Sequence, residues 1–71
     1  MKSVDARGLS CPEPVLRTRA ALAALPRGEQ LEVLVETATS RENVLRTARS
    51  MGCEVRIEDV GGGFRLIMER P

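Results

Sequence analysis

Alternating apolar and polar residues mark out the β-strands of this 71-residue chain. The alternation runs from Leu31 to Val35, from Glu54 to Val60 and from Phe64 to Glu69, and each run predicts a half-buried strand. A shorter first strand is predicted from Ser3 to Asp5. Three glycines, Gly61 to Gly63, separate the last two strands and predict a hairpin turn. The apolar positions of these strands define the candidate core of the sheet: Leu31, Val33, Val35, Val55, Ile57, Phe64, Leu66 and Met68.

Helical spacing of apolar residues replaces the alternation in two intervening segments. The first predicted helix runs from Pro12 to Leu25, and its alanine content supports the assignment. The second begins with a capping box, in which Thr39 is the N-cap and Glu42 reaches back to it, and it ends at Met51 before Gly52. The predicted buried residues are Val15, Leu16, Ala20, Leu22 and Ala23 in the first helix, and Val44, Leu45, Ala48 and Met51 in the second.

The order of these elements, βαβαββ, predicts a two-layer α/β sandwich of the α+β type, formed by a single domain over residues 1–71. Because each helix connects two strands through a right-handed crossover, both helices are expected on one face of a four-stranded mixed sheet. The other face carries charged side chains that can pair across strands, which predicts a solvated surface and a monomer. Its charged members are Glu32, Glu54, Arg56, Glu58, Arg65 and Glu69.

Composition narrows the available chemistry. Eleven Lys and Arg against ten Asp and Glu give a net charge of +1, which does not favour direct binding of nucleic acid. The chain has no histidine, which excludes His-dependent nucleophile pairs and histidine metal sites, and its two cysteines lack the paired spacing of a zinc site. No metal site is therefore predicted. No apolar run approaches the roughly 18 residues that cross a membrane, and the N-terminus lacks a secretory signal, which predicts a cytoplasmic protein with free cysteines and no membrane partner.

Cys11 is the candidate reactive group, because it stands where a helix N-cap is predicted. In this prediction Pro12 occupies the first helical position and Pro14 remains in the first turn, where a missing N–H is tolerated. Cysteine is a poor N-cap compared with Ser, Thr, Asp or Asn, so its presence here indicates selection for reactivity. The alternative is a buried and inert cysteine, which is a common environment for a free thiol.

The charges expected around Cys11 have opposing effects on the ionisation of its thiol. The partial positive charge of a helix N-terminus favours the thiolate form of a cysteine, whereas the Glu13 carboxylate opposes it. Three arginines are candidates for further positive charge near the thiol, although spacing alone does not place them: Arg7, Arg17 and Arg41. Cys53 directly precedes a predicted strand and is interpreted as a structural residue, at the opposite edge of the sheet from Cys11.

The segment from Asp5 to Pro14, DARGLSCPEP, resembles the D-x-x-G-x-x-C-P-x-P signature of the TusA/SirA/YedF family of small sulfur-carrier proteins. The turn at Pro26–Glu29 and the order of the elements extend the resemblance over essentially the whole chain. Between the second strand and the second helix, many TusA-type members have an Asp-Pro pair that is absent here, and this segment is closer to the N-terminal domain of YedF-like proteins. On this resemblance Cys11 is the chemical group, and the supporting motif residues are Asp5, Gly8, Pro12, Glu13 and Pro14.

The resemblance implies a sulfurtransferase-type carrier that holds sulfur as a persulfide on Cys11 and needs no other cofactor. Its partners would be a sulfur donor, either a cysteine desulfurase or a rhodanese-like protein, and a sulfur-acceptor protein, and turnover without them would be slow or absent. Family members act in tRNA thiolation, molybdenum-cofactor synthesis and sulfur oxidation, and YedF-like members are linked to selenium. The residues do not choose among these pathways.

Two other functions stay open on the sequence. One is a non-catalytic module that binds a protein or RNA through the open face of the sheet, although that face lacks the aromatic residues on which bases stack. The other is a redox sensor that uses reversible oxidation of Cys11.

Overall fold

Six elements build the fold along the chain. The computed structural model describes residues 1–71 and contains β1 (Lys2–Asp5), α1 (Glu13–Ala23), β2 (Gln30–Val35), α2 (Ala38–Ser50), β3 (Glu54–Val60) and β4 (Gly63–Glu69). The predicted order βαβαββ is confirmed, and each strand agrees with its predicted bounds to within one residue. Neither helix has the length and apolar character needed to span a membrane.

The strands form one sheet in the order β1-β2-β4-β3. β1 and β2 are parallel, and β4 runs antiparallel to both β2 and β3, so β1, β2 and β3 point in the same direction. These three strands finish at one end of the sheet, the carboxyl end, which is also where α1 and α2 begin. The two helices pack against each other and against the sheet in the predicted two-layer arrangement.

The core lies between the helices and the sheet, and most of the predicted strand residues belong to it. Val55 and Phe64 are partly buried at its margin. The prediction that Ile57 lies in the core is wrong: this side chain is 38% exposed, because β3 is an edge strand that α2 covers only in part. The largest fully buried apolar side chains are Leu22, Leu31, Leu66, Met68, Val33, Val35 and Val44.

The buried face of α1 differs from the predicted one. Pro14, Thr18 and Leu22, spaced four residues apart, are buried, whereas Leu16 is 50% exposed. Ala20 and Ala23, also predicted to be buried, are exposed. In an alanine-rich helix apolar residues occur on every side, so the pattern alone does not define the inner face. The side-chain oxygen of Thr18 is buried without a hydrogen-bond partner.

The ends of α2 are set by side-chain and backbone hydrogen bonds. Its N-cap is Thr37, whose Oγ1 accepts a hydrogen bond from the N–H of Ser40 at 3.1 Å, so the prediction of Thr39 as the cap is wrong by two residues. At the other end the helix stops before Gly52, as predicted, and Gly52 has a φ of +84°. The N–H of Cys53 donates to the carbonyl of Ala48 at 3.0 Å, which completes a Schellman motif. Met51, predicted to be buried, is 36% exposed.

Arg70 satisfies the C-terminal end of α1. Its guanidinium Nη1 donates to the carbonyl oxygen of Leu22 at 2.8 Å and to that of Leu25 at 3.2 Å. No basic residue lies in the last turn of α1 itself, so the favourable cation for this helix end comes from the far end of the chain. The backbone of Arg70 is also fixed, because it exchanges hydrogen bonds with Gly28 and Glu29.

The β3–β4 hairpin is closed by two glycines. Gly61 and Gly62 form the turn, and Gly62 has φ of +82°, a conformation that glycine adopts without steric strain. Gly63 already belongs to β4, where it pairs with Val60. A Cβ atom at Gly63 would overlap the carbonyl oxygen of Val35, so this position requires glycine for close packing against the end of β2.

The face of the sheet opposite the helices carries the predicted ion pairs. Arg65 on β4 pairs with Glu32 on β2 and with Glu58 on β3. Arg56 also contacts Glu58, at 3.7 Å along β3. Ile67, on the central strand β4, is buried among these polar residues, at 6% exposure.

Candidate functional site

The loop between β1 and α1 carries Cys11 and is anchored to the core. The N–H of Ala6 donates to the carbonyl of Leu34 at 2.9 Å, which continues the pairing of β1 with β2, and the side chain of Ala6 is buried. Leu9 packs against the core, and its N–H donates to the carbonyl of Ala6 at 3.3 Å. Between them Gly8 has φ of +78°, which explains the glycine of the motif. The loop is therefore a short, fixed turn at the carboxyl end of the sheet.

Asp5 and Arg7 form a clamp across the start of this loop. Asp5 accepts hydrogen bonds from the N–H of Arg7 at 3.1 Å and from its Nε and Nη2 at 2.9 Å each. The side-chain and then the backbone hydrogen bonds from Arg7 lower the pKa of the Asp5 carboxyl to about 2. Arg7, proposed from the sequence as a possible charge near the thiol, is thus engaged with Asp5, and the motif aspartate holds the backbone of the loop.

Cys11 lies in a turn that precedes α1. The N–H of Glu13 donates to the carbonyl of Ser10 at 2.9 Å, which closes a four-residue turn with Cys11 and Pro12 at its centre. The Cys11–Pro12 peptide bond is cis. The side chain of Cys11 is exposed, so it does not have the buried environment that the alternative of a structural thiol required.

The prediction that Cys11 is the N-cap of the helix is wrong by one residue. Pro12 is the N-cap, and the first helical residue is Glu13. The physical reason is that the Glu13 N–H, which a cap at Cys11 would have to bind, is already bonded to the carbonyl of Ser10 in the preceding turn. Cys11 therefore sits just outside the helix, with its thiol free of any capping role.

The first turn of α1 has few free donors. Pro12 and Pro14 have no N–H, the N–H of Glu13 is used by the turn, and that of Leu16 donates to the Pro12 carbonyl at 3.0 Å. The N–H of Val15 has no backbone partner, so it is the remaining orphan donor at this helix end. The N-terminus of α1, which begins two residues after Cys11, therefore presents one free amide and a partial positive charge.

The two other candidate arginines also pair with carboxylates. Arg17 contacts Glu13 at 3.5 Å, one helical turn away, which offsets the negative charge that Glu13 places near the thiol. Arg41 contacts Glu42 at 3.8 Å, and its guanidinium lies 4.5 Å from the centre of the Phe64 ring. Neither arginine donates a hydrogen bond to Cys11, and Arg7 donates to Asp5, so none of the three predicted arginines is hydrogen-bonded to the thiol.

Cys53 has a different environment. It is 7% exposed and belongs to the hydrophobic core, in line with its structural interpretation. Burial raises the pKa of the Cys53 thiol, against a smaller opposing effect of Arg70. It precedes β3, whereas Cys11 follows β1, and these strands are parallel within the sheet. The two cysteines therefore lie at opposite ends of the sheet, and both are free.

No pocket surrounds Cys11. The two shallow cavities have volumes of about 190 and about 290 Å³; the first lies on the open face around Ile67 and Glu69, and the second lies along α2 around Leu45 and Arg46. No group of three or more potential metal ligands is present. A thiol on an open surface can be reached by a group carried on another protein, whereas small-molecule sites are typically concave.

Sequence reasoning missed several residues that build this site. The anchors Ala6 and Leu9 and the free amide of Val15 carry no side-chain signal of function. The clamp between Asp5 and Arg7 could have been inferred, because an aspartate two residues before an arginine and three before a glycine is typical of a side-chain-stabilised turn.

The site and the fold together define a class: a small two-layer domain that presents one exposed thiol on a fixed turn before a helix. Residues 2–70 match the family described as Sulfurtransferase TusA. The chain belongs to this family, which confirms the resemblance carried by the motif and places the protein among sulfur carriers.

Individual relatives agree with this assignment. The chain is 38% identical, over 99% of its own length and 95% of the relative's, to a Methanocaldococcus jannaschii protein named as a candidate sulfur carrier. It is 30% identical to the sulfur carrier protein TusA of Allochromatium vinosum, over 97% of this chain and 92% of that protein. The crystal structure of a SirA-like protein from Desulfitobacterium hafniense superposes with a TM-score of 0.86 at 36% identity, covering 96% of this chain and 95% of that one.

Proposed function

We propose that this protein carries sulfane sulfur as a persulfide on Cys11 and relays it from a donor protein to an acceptor protein. The observation that supports this most directly is the exposed thiol of Cys11 on a fixed turn at the N-terminus of α1, in a chain of the TusA family. Cys53 is unsuited to the role because it is buried in the core.

Loading is a transfer of one sulfur atom without net oxidation. The Cys11 thiolate attacks the outer sulfur of a persulfide on the donor, a new S–S bond forms at Cys11, and the S–S bond of the donor breaks. The electron pair of the broken bond leaves with the donor sulfur as a thiolate. Delivery repeats the same exchange, since an acceptor thiolate attacks the outer sulfur and Cys11 leaves as the thiolate.

The residues around Cys11 position this sulfur. The clamp of Asp5 and Arg7 and the turn at Gly8 fix the loop, which keeps the thiol in one direction while a partner docks. The orphan N–H of Val15 and the partial charge of the helix end favour a negative sulfur, in the way that helix N-termini bind anions. The pairing of Glu13 with Arg17 limits repulsion.

The partners of this relay are proteins. A donor of the cysteine desulfurase or rhodanese type and a thiol-bearing acceptor both fit an open thiol, because each would bring its reactive sulfur on its own surface. No further cofactor is required, since the transferred sulfur is itself the cargo. Turnover of the isolated protein is expected to be slow, because exchange needs the partner's persulfide or thiolate.

Mass spectrometry after incubation with a cysteine desulfurase and cysteine tests the proposal. The wild-type protein should gain the mass of one sulfur atom, and a thiol reductant should remove it. Cys11→Ser should gain none, whereas the matched variant Cys53→Ala should gain it as the wild type does. Equal loading of Cys11→Ser and wild type would refute the proposal. Preferential trapping of a sulfenic acid on Cys11 would instead favour a redox sensor.

A further inference from the structure

The outer edge of β3 is an unpaired strand edge. β3 is the last strand of the sheet and pairs with β4 without interruption from Glu54 to Val60. Natural edge strands are commonly protected by proline, a bulge or charged side chains; this strand has neither proline nor bulge, and its charges are of both signs: Glu54, Arg56, Glu58 and Asp59. Near its centre Ile57 is 38% exposed, and Val60 at its end is 37% exposed. The other edge strand, β1, has only four residues and includes Lys2.

The hairpin turn determines which backbone groups of β3 are free. Because Val60 pairs with Gly63 across a two-residue turn, the N–H and C=O groups of Val60, Glu58 and Arg56 point toward β4. The alternate residues Val55, Ile57 and Asp59 direct theirs away from the sheet. The free edge thus offers three residues with matched donors and acceptors, centred on Ile57.

The sequence of this strand, EVRIEDV, is complementary to itself in one antiparallel register. When Ile57 of one copy faces Ile57 of another, Val55 faces Asp59, so all the free backbone groups are aligned. In the same register Arg56 faces Glu58 of the second copy, and Glu58 faces Arg56. Opposite charges directly across neighbouring strands stabilise a pair, and like charges destabilise it.

We propose that β3 is a self-association edge, through which two copies of this chain pair antiparallel about Ile57 and form one continuous eight-stranded sheet. A monomer was expected because the open face of the sheet is charged, but the edge of β3 is a separate surface. Two seven-residue strands offer a small contact, below the about 1,200 Å² of total buried surface typical of stable complexes, so the dimer is weak and forms at high protein concentration.

This arrangement leaves the sulfur site accessible. Cys11 follows β1, and β1 forms the opposite edge of the sheet from β3. Each copy in the dimer therefore presents its own thiol at an outer edge, away from the paired strands. The inference does not depend on the chemistry proposed for Cys11, and either can fail without the other.

Sedimentation equilibrium from micromolar to millimolar protein tests the association. The wild type should shift from monomer to dimer within this range. Arg56→Glu should weaken the dimer about tenfold, because the symmetry places the repulsion at two positions. The charge-swapped double variant, Arg56→Glu with Glu58→Arg, should recover most of that loss. Ile57→Lys should also prevent pairing, whereas Leu16→Lys, at an exposed apolar residue of α1, which packs on β1 and β2, should not.

Amide NMR separates edge pairing from loss of folding. With rising concentration the amides of Val55, Ile57 and Asp59 should shift and gain protection from exchange, while those of Arg56 and Glu58, already paired with β4, should change less. A far-UV circular dichroism spectrum of each variant establishes that it is folded. A wild type that stays monomeric at millimolar concentration would overturn the proposal. The proposal would also be overturned if Ile57→Lys and Arg56→Glu are folded and dimerise as strongly as the wild type.

Discussion

Replacing Arg70 by methionine should destabilise this domain, whereas the same replacement at an exposed arginine without partners should have little effect. The change keeps much of the aliphatic stem and removes the guanidinium that donates to the carbonyl oxygens of Leu22 and Leu25, at 2.8 and 3.2 Å. Hydrogen bonds from a charged donor contribute about 1.5–3 kcal/mol, and a cation at a helix C-terminus contributes about 0.3–1 kcal/mol. Because Arg70 is only half-buried and one contact is long, we expect a loss of about 2 kcal/mol.

This loss is a large fraction of the free energy of unfolding of the whole domain. A 71-residue domain has a free energy of unfolding of roughly 4–10 kcal/mol. At a urea m-value of about 1 kcal/mol/M, Arg70→Met should lower the midpoint of unfolding by about 2 M. The chain has no Trp or Tyr, so unfolding is followed by the far-UV helical circular dichroism rather than by fluorescence.

Two further variants give the measurement its controls. Arg19→Met changes an arginine on the exposed side of α1 that forms no ion pair, and it should stay within about 0.5 kcal/mol of the wild type. Arg70→Lys retains a positive charge but presents a compact ammonium in place of the planar guanidinium, and it should fall between the wild type and Arg70→Met. The reasoning is refuted if Arg70→Met unfolds at the same urea concentration as Arg19→Met.

Three other predictions follow from features of the fold. Gly63→Ala should lose roughly 1–3 kcal/mol in urea unfolding, because its Cβ overlaps a β2 carbonyl oxygen, whereas Gly61→Ala, with open space around it, should lose much less; equal losses would contradict the packing argument. Thr18→Val should raise the free energy of unfolding by about 1 kcal/mol, since it removes a buried hydroxyl without a partner, and a lower unfolding midpoint would show that the hydroxyl is satisfied. Asp5 has a pKa of about 2 against the ordinary value of 3.8, so its carboxylate should stabilise the loop above about pH 4 and lose that contribution as the pH falls from about 4 to 2. An NMR titration should show the protonation of Asp5 in this range, and replacing Arg7 with Met should raise the pKa of Asp5.

The strands could be predicted well because alternation depends on a local period of two residues. The bounds of β2, β3 and β4 follow directly from the alternation between Leu31 and Glu69. What alternation cannot show is how far the helix layer extends over the sheet. Ile57 has the right parity for the core and is nevertheless exposed, because its strand lies at the edge.

Helix ends were harder to predict, since several residues can satisfy the same backbone groups. Thr39 with Glu42 matches a capping box, yet Thr37 takes the cap two residues earlier and lengthens α2. At α1 the turn closed by Ser10 uses the amide that a cap at Cys11 would have needed. Which of the competing hydrogen bonds forms depends on the position and direction of the chain where the preceding strand ends, and a local sequence pattern does not contain that information.

The candidate site was likewise predictable only in part. The motif was enough to single out Cys11, and the structure places that thiol at the surface. The sequence suggested Arg7 and Arg17 as positive charges near the thiol, whereas Arg7 engages Asp5 and Arg17 engages Glu13 through local contacts that their spacing could have indicated. The contact of Arg70 with α1 joins residues more than forty positions apart, so it cannot be predicted from patterns within short segments.

The exposed position of Cys11, one residue before the N-cap of α1, has a consequence for how a loaded carrier would be distinguished from an empty one. The Cys11 side chain belongs neither to the core nor to any hydrogen bond of the fold, so an added sulfur atom would disturb no packing. The two forms would then share one conformation and one stability. A partner could not sense loading through a change of shape, and discrimination between the two forms would rest on contact with the terminal sulfur atom itself. The direction of sulfur flow would accordingly be set by the relative reactivity of donor and acceptor thiols, with this domain contributing the position of its sulfur and the partial positive charge of the helix end.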